Sequence, residues 1–396
     1  MSKKSTIVVM GIMGRSPFAG VAWQALHYLE GFRRLGSDVY YFEDTGTWPY
    51  DAERNTITND CSYIVNYIAR LMAWWGQADR WAYRSGADHR IFGLSESQNS
   101  RLLARADVLI NVTGSTWLRE EHLRVPIRVY LETDPVLPQI EVAKGYGKTV
   151  EHLRNHTHYF SFGENLGGAD CPIPIEQFTY RPTRQPIVLE WWTPAASETS
   201  NGQQPASPAH RFTTISNWRQ TDKDIEWNGE TYLWSKHVEF LKFIDLPRRT
   251  AQPLELALAC SETEALQLLA SHGWQIRDAV ALSKDILPYR DYVLGSCGEF
   301  TVAKDQYVRL RSGWFSDRSA CYLAAGRPVI TQDTGFGKVL PCGEGLFPFN
   351  TIEDILAAFE AISSDYPRHC KAARAIAEEY FRAETVVGQI IDSIGL

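Results

Sequence analysis

The sequence predicts an α/β protein built as two doubly wound, Rossmann-like domains facing a cleft. Three observations carry this expectation. At 396 residues the chain exceeds one ordinary core and suits two domains of about 200 residues each. Short β-branched runs alternate with helix-period runs, which implies parallel sheets. The alternation occurs twice, and the two passes are separated by "TPAASETSNGQQPASPA" at 193–209, too poor in apolar residues to bury a core and expected to be a mobile loop.

In chain order, "STIVVM" at 5–10 is apolar and β-branched enough for a buried parallel strand. The loop "GIMGRSPFAG" follows. It leads into "VAWQALHYLEGFRRLG", where Val21, Leu26, Leu29, Phe32 and Leu35 lie near 3.6-residue spacing and Gly36 marks the stop. "DVYYFED" is the next strand. Trp- and Arg-rich sequence over 58–105 is expected to be helical, and strands recur at "ADVLINVTG", "PIRVYLETD" and "THYFSFGEN". The first domain is placed at 1–182 and the second at 183–396. In the second, "RFTTISN", "LELALACS", "GEFTVAK" and "RPVITQD" are the expected strands, each followed by helical sequence. Thr351 with Asp354 three residues on is close to a capping box for "TIEDILAAFEAI". The run "RAETVVGQIIDSIGL" ends the chain with Val386, Val387, Ile390, Ile391 and Ile394 on one helical face.

Composition removes several function classes. A hydrophobic content of 44% with 22% charged residues describes an ordinary globular protein, and a formal charge of −7 argues against a general nucleic-acid binder. Apolar runs such as "TIVVMGIMG" fall far short of the roughly 18 residues that span a membrane. "MSKKSTIVVM" passes from two lysines straight into a strand-like run and is read as carrying no signal peptide. The seven cysteines never form a C-x-x-C pair, which suggests reduced thiols and a cytoplasmic location.

The most specified stretch is "RSGWFSDRSACYLAAGRPVITQDTGFG" at 311–337. In open α/β sheets ligands bind at the carboxyl ends of strands, where loops lead into helix starts. If "GEFTVAK" is a strand, the helix it feeds begins at Ser316. Its first N–H groups, with the Ser316 and Ser319 hydroxyls, would suit a phosphate, and Gly313 would let the backbone approach closely. "TQDTGFG" then follows the next strand and opens onto the same cleft, so two loops would frame one anionic ligand.

These residues resemble the donor-binding segment of GT-B-fold glycosyltransferases, in the group that includes spore-maturation-type proteins. The N-terminal "GRSPFAGVAWQALHYLEGFRRLGSDVYYFED" is similar to the opening of the same enzymes, and "VYLETDP" to their acidic-Pro strand end. The resemblance implies a nucleotide diphosphate sugar as donor substrate, bound by the second domain, and an unidentified acceptor bound by the first. Asp317 would meet the donor ribose and Arg318 the diphosphate. Arg219 and Lys236 stand where these enzymes place a basic phosphate contact, with Lys304 as a further candidate. Thr334, Gly335 and Phe336 would approach the donor sugar, and Gly14, Arg15 and Phe18 would line the acceptor side of the cleft. Asp134 is the candidate catalytic base, able to take the acceptor's proton as its hydroxyl attacks the anomeric carbon. Glu132 and Asp44 compete for that role. In the resembling enzymes the last helix, here 384–394, crosses back to the first domain. The paired glutamates seven residues apart of many retaining members are absent, which leaves the stereochemical course open.

His152 and His156 in "HLRNHTH" are four residues apart, a spacing that can place two imidazoles on one helix face for zinc, but spacing supplies no third ligand. No metal and no cofactor are expected, because in this fold helix dipole and basic side chains meet the charge of the leaving diphosphate. Among the tryptophans and tyrosines, the cluster "WWGQADRWAY" is a candidate acceptor wall within a mostly core-forming set. Two alternatives stand beside the glycosyltransferase reading: a sugar-nucleotide epimerase of the same fold, and a non-catalytic nucleotide-sugar-binding protein.

Overall fold

Thr6–Met10 (β1) is buried at every position, as an unbroken β-branched run requires of a central parallel strand. The computed structural model that shows this describes residues 4–193 and 209–396. They fall into two units: unit 1 is Met1–Gly163, Pro174–Pro186 and Ala383–Leu396, and unit 2 is Glu164–Ile173 and Ile187–Arg382. The expected loop at 193–209 lies, apart from its ends, outside the described residues.

Unit 1 holds β1, Asp38–Glu43 (β2), Trp81–Arg84 (β3), Ile91–Gly93 (β4), Val108–Val112 (β5), Ile127–Glu132 (β6), His158–Ser161 (β7) and Arg181–Pro182 (β8). Their order across the sheet is β8-β7-β6-β5-β1-β2-β3-β4. All neighbours are parallel except the β3–β4 hairpin, which pairs Ala82 with Gly93 and Arg84 with Ile91. That hairpin corrects the all-helical expectation for 58–105. Helices Ser62–Trp74 and Glu96–Arg105 flank it, and alternating aromatic residues let it extend the sheet edge. From β1 the chain builds outward to β4, then returns to the other side of β1 at β5. The strand order therefore reverses between β1 and β5, which is where such sheets open a crevice.

The helix Ala383–Ile394 groups with unit 1 and packs on the helix Ala19–Arg34. A Cβ at Gly31 would stand 3.2 Å from the Val387 side chain, and Arg34 pairs with Glu384 at 2.8 Å. Val386, Val387, Ile390 and Ile394 are buried there, and each aliphatic side chain so buried contributes about 1.5–3 kcal/mol. Deleting residues 384–396 is therefore expected to destabilise unit 1 by several kcal/mol. Hydrogen exchange should show deprotection across Ala19–Arg34; deprotection confined to 187–382 would contradict it.

The six-stranded sheet of unit 2 is wholly parallel: Ala209–Asn217 (β9), Leu254–Ala259 (β10), Gln275–Asp278 (β11), Ser296–Thr301 (β12), Val329–Gln332 (β13) and Leu346–Phe349 (β14), in the order β11-β10-β9-β12-β13-β14. Its reversal falls between β9 and β12. The edge strands β11 and β14 are not evident from sequence because each is four residues long, and one is largely exposed while the other contains Pro348. Phe212, Phe300, Leu256, Ile330, Phe359 and Trp274 form the centre of the core. The capping box at Thr351 forms, with Thr351 Oγ1 accepting from Asp354 N–H at 3.2 Å and Asp354 accepting from Thr351 N–H at 2.9 Å.

Candidate functional site

At the β9/β12 reversal of unit 2, two lysines are buried where their charge is costly. Lys236 precedes the helix His237–Lys242 and Lys304 follows β12; each is 8% exposed. The Lys304 ammonium lies 3.6 Å from the centroid of the Trp234 ring and 3.4 Å from the Tyr307 hydroxyl. Lys236 Nζ is 5.9 Å from the centroid of the Trp314 ring, and its ammonium makes no hydrogen bond among the described residues. Burial, then the Arg318 and Lys304 charges, hold the Lys236 pKa well below the ordinary lysine value, while Glu299 and Asp317 act the other way. Arg318, Lys304 and Lys236 thus lie close together in a buried site, with Glu299 and Asp317 beside them. An anion is the species that would relieve them.

The helix Asp317–Ala324 begins beside this cluster. Ser316 is its N-cap residue, yet its hydroxyl makes no capping bond, and the Ser319 hydroxyl is buried without a hydrogen-bond partner. Asp317 accepts a hydrogen bond from the Arg318 N–H at 2.8 Å. Arg318 itself is turned inward, contrary to the expected diphosphate contact. Its Nε donates to Glu299 Oε1 at 2.5 Å, Nη1 to the Ile215 carbonyl at 2.6 Å and Nη2 to Thr301 Oγ1 at 3.0 Å. It neutralises a fully buried carboxylate and ties the helix start to β9 and β12. Arg219 is likewise diverted: it is half exposed and pairs with Glu262 at 2.8 Å.

The loop residues build the site more than they face it. Gly313, at φ +76°, is required by packing, since a Cβ there would lie 2.4 Å from the backbone nitrogen of Asn165. Thr334 donates its hydroxyl to the Trp314 carbonyl at 2.6 Å, and Phe336 is buried against Phe315 with ring centroids 5.2 Å apart. Gly335 turns at φ +97° with its N–H on Asp333 Oδ1. The expected approach of Thr334, Gly335 and Phe336 to the donor sugar falls to their backbone, since the Thr334 hydroxyl is spent on a carbonyl and the Phe336 ring lies in the core.

In unit 1 the glycine-bearing turn after β1 is already filled by an internal anion. The Gly14 and Arg15 N–H groups donate to the two Glu43 oxygens at 2.6 and 2.7 Å, and the Tyr41 hydroxyl donates to Glu43 Oε2 at 2.6 Å. Burial pushes the Glu43 carboxyl up to about 7, against these hydrogen bonds. These two N–H groups are therefore not available to a ligand phosphate. The Arg15 side chain is exposed, and Phe18 is half-buried, its ring 5.7 Å from that of Tyr50. Sequence reasoning missed Glu43, although an acid ending a buried strand two residues beyond Tyr41 is a visible signal.

Among the candidate bases, Glu132 and Asp44 are held in internal networks. Both Glu132 oxygens accept from Gln139 Nε2, at 2.9 and 2.8 Å, and one from Ser161 at 2.5 Å. Asp44 accepts from both terminal nitrogens of Arg119, with Arg84 3.4 Å away. Asp134 is half-buried in the loop after β6. Two residues on, fully buried Val136 stands at φ 99° and ψ −62°, a strained γ-turn conformation for a β-branched residue. Such strain, about 1–3 kcal/mol, persists where the surroundings over-determine it and clusters at functional sites. Here the Val136 N–H is held by Gln139 Oε1 at 2.8 Å, the same side chain that holds Glu132.

Asp44, Glu121 and His122 place ligand atoms within 4.8 Å of one another. The charge of that set is met by Arg84 and Arg119, and burial lowers the His122 pKa to about 4. The group fits its arginines better than a cation. His152 and His156 are structural: His156 Nδ1 bonds the His152 carbonyl at 3.0 Å, its Nε2 meets Asn111 Nδ2 at 3.1 Å, and His152 Nε2 bonds the Gly114 carbonyl at 2.7 Å.

No protein-family profile and no curated protein matches this sequence. Solved structures do match along its length. Anabaena HepE in complex with UDP-glucose is 11% identical, with a TM-score of 0.56 over 98% of this chain and 99% of that one. An alpha-glucosyltransferase in complex with UDP-glucose and DNA containing an abasic site is 13% identical, with a TM-score of 0.56 over 100% of both chains. The fold is that of the GT-B glycosyltransferases, with parallel α/β sheets in both units.

Proposed function

We propose that this protein is a glycosyltransferase that moves a hexose from a nucleotide diphosphate sugar to an acceptor hydroxyl. The observation that carries the reading is the buried pair Lys236 and Lys304 beside the helix start at Ser316, at the strand-order reversal of unit 2. In this reading the donor diphosphate sits on the two ammonium groups, the Ser316 and Ser319 hydroxyls and the first helical N–H groups. The acceptor oxygen attacks the anomeric carbon, and its proton passes to Asp134. The bond from that carbon to the diphosphate oxygen breaks with its electron pair, and the departing charge meets the lysines. The solved structures of similar fold contain UDP or UDP-glucose, which favours a uridine nucleotide. Several alpha-glucosyltransferase structures among them were solved with DNA, whereas the charge of −7 here favours an acceptor other than nucleic acid. The spore-maturation-type resemblance, the free cysteines and a cytoplasmic site of action belong to the same reading. Among the described residues no helix is long and apolar enough to cross a membrane.

Incubation with a panel of nucleotide sugars, with and without EDTA, tests this. Release of UDP from a UDP-hexose is expected and should survive chelation, since the lysines and helix start meet the leaving charge. Loss of activity on chelation, restored by manganese, would overturn metal independence. A C2-epimerised product would favour the epimerase, and binding without turnover the non-catalytic alternative.

A further inference from the structure

The stretch Glu164–Ile173 belongs to unit 2 although its flanks, Gly163 and Pro174, belong to unit 1. Within unit 2 it is bonded to both loops that frame the lysine site. The Asn165 N–H donates to the Ser312 carbonyl at 3.1 Å, and Asn165 Nδ2 donates to the Arg311 carbonyl at 2.7 Å. Asn165 Oδ1 accepts from Lys338 Nζ at 3.1 Å. Asp170 accepts from Arg311 Nε at 2.7 Å, from Asn165 Nδ2 at 3.0 Å and from Lys338. Arg311 then reaches Asp333 at 3.2 Å, so the 311–313 and 333–338 loops are joined through one clamp.

The turn depends on these bonds. Arg311 stands at φ 45° and Gly313 at φ 76°. A non-glycine residue in that left-handed region is disfavoured by its Cβ, so the turn relaxes unless something outside it holds it. What it carries is the site: the Gly313 N–H donates to the Thr334 carbonyl at 2.8 Å, and Trp314 comes next. The Trp314 ring lies 4.8 Å from Tyr307, whose hydroxyl meets Lys304, and 5.9 Å from the Lys236 ammonium.

We infer that Asn165 and Asp170 are positioning residues for the donor: they hold the Arg311–Gly313 turn, and through it Trp314 and the two lysines, in the geometry that receives a diphosphate. The inference rests on the donor site proposed above. It is tested by calorimetric titration of the full chain with UDP, alongside thermal melts. Asp170→Asn and Asn165→Ala should each weaken UDP binding by about tenfold, the worth of one charge-assisted hydrogen bond lost at the pocket. The melting temperature should change little for Asp170→Asn, because the Asp170 side chain is 38% exposed. Adding Lys338→Met to Asp170→Asn should weaken binding no further, since both act through one clamp. Unchanged affinity in both single variants overturns the clamp alone. So does a loss of affinity matched by a fall in melting temperature, which would make Asp170 a stability residue. A wild-type chain that binds no nucleotide diphosphate overturns the donor reading and the clamp with it.

Discussion

Replacing Lys236 with methionine is expected to weaken UDP binding by about ten- to a hundredfold while leaving the unliganded protein as stable as before, or more so. The first effect is the loss of a charge-assisted contact, about 1.5–3 kcal/mol. The second follows from linkage. The folded pKa of Lys236 is lowered, so the unfolded chain holds that proton more tightly, and the charged side chain destabilises the fold at every pH below the folded value. Stability rises with pH only between that value and about 10.5. An anionic ligand reverses the situation. UDP raises the Lys236 pKa, so binding takes up protons and weakens as pH rises past the folded value. Calorimetry in two buffers of different ionisation enthalpy measures the uptake. Wild-type affinity in the variant, or a lower melting temperature with affinity retained, would assign Lys236 a structural role. Arg318→Met is the contrasting case. It strands Glu299 as a buried unpaired charge, a change that costs about 3–5 kcal/mol, so its effect on binding cannot be separated from its effect on folding.

Acidification is expected to unfold unit 1 first. His27 and His156 are held at about 3 and His122 at about 4, all by burial, against an ordinary value of 6.5. The folded values are lowered, so the unfolded chain binds more protons between pH 6.5 and those values. Each histidine contributes stability that is complete above pH 6.5 and is lost as pH falls, at about 1.4 kcal/mol per pH unit. Glu43 acts in the opposite sense. Its folded value is raised from 4.5 to about 7, so it returns stability over that interval and offsets about one histidine. Thermal melts from pH 8 to 4.5 should show a steep fall below pH 6. Hydrogen exchange should deprotect Ala19–Arg34 and Glu120–Leu123, which carry His27 and His122, and Gly147–Arg154, which His156 follows, before the core of unit 2. Earlier deprotection of β9 and β12 would refute the assignment, and His156→Gln should flatten the profile.

Several parts of the site were readable because they depend on neighbours in sequence. The helix start at Ser316 and the turn glycines at 313 and 335 follow from local pattern, whereas Lys236 and Lys304 enter through the family resemblance. Which charge each residue would meet was not readable. The family resemblance makes Arg318 a diphosphate contact; β12 places Glu299 beneath it. Arg219 was equally plausible until the loop after β10 supplied Glu262. Glu43 escaped notice because its partners, Gly14 and Arg15, lie 29 and 28 residues earlier. The clamp escaped because Asn165 meets a turn 146 residues away.

By itself the sequence determined the alternation of strands and helices, the two-sheet organisation, the Thr351 capping box and the anion-ready stretch at 311–337. Those features are decided by side-chain period, left-handed turn positions and capping chemistry, which act over a few residues. Only the tertiary structure decided that residues 164–173 join unit 2 and that Lys236 and Lys304 are buried together near Arg318. The physical reason is that a buried charge takes the partner that strand order brings within about 3 Å, and strand order is set by packing the whole chain at once.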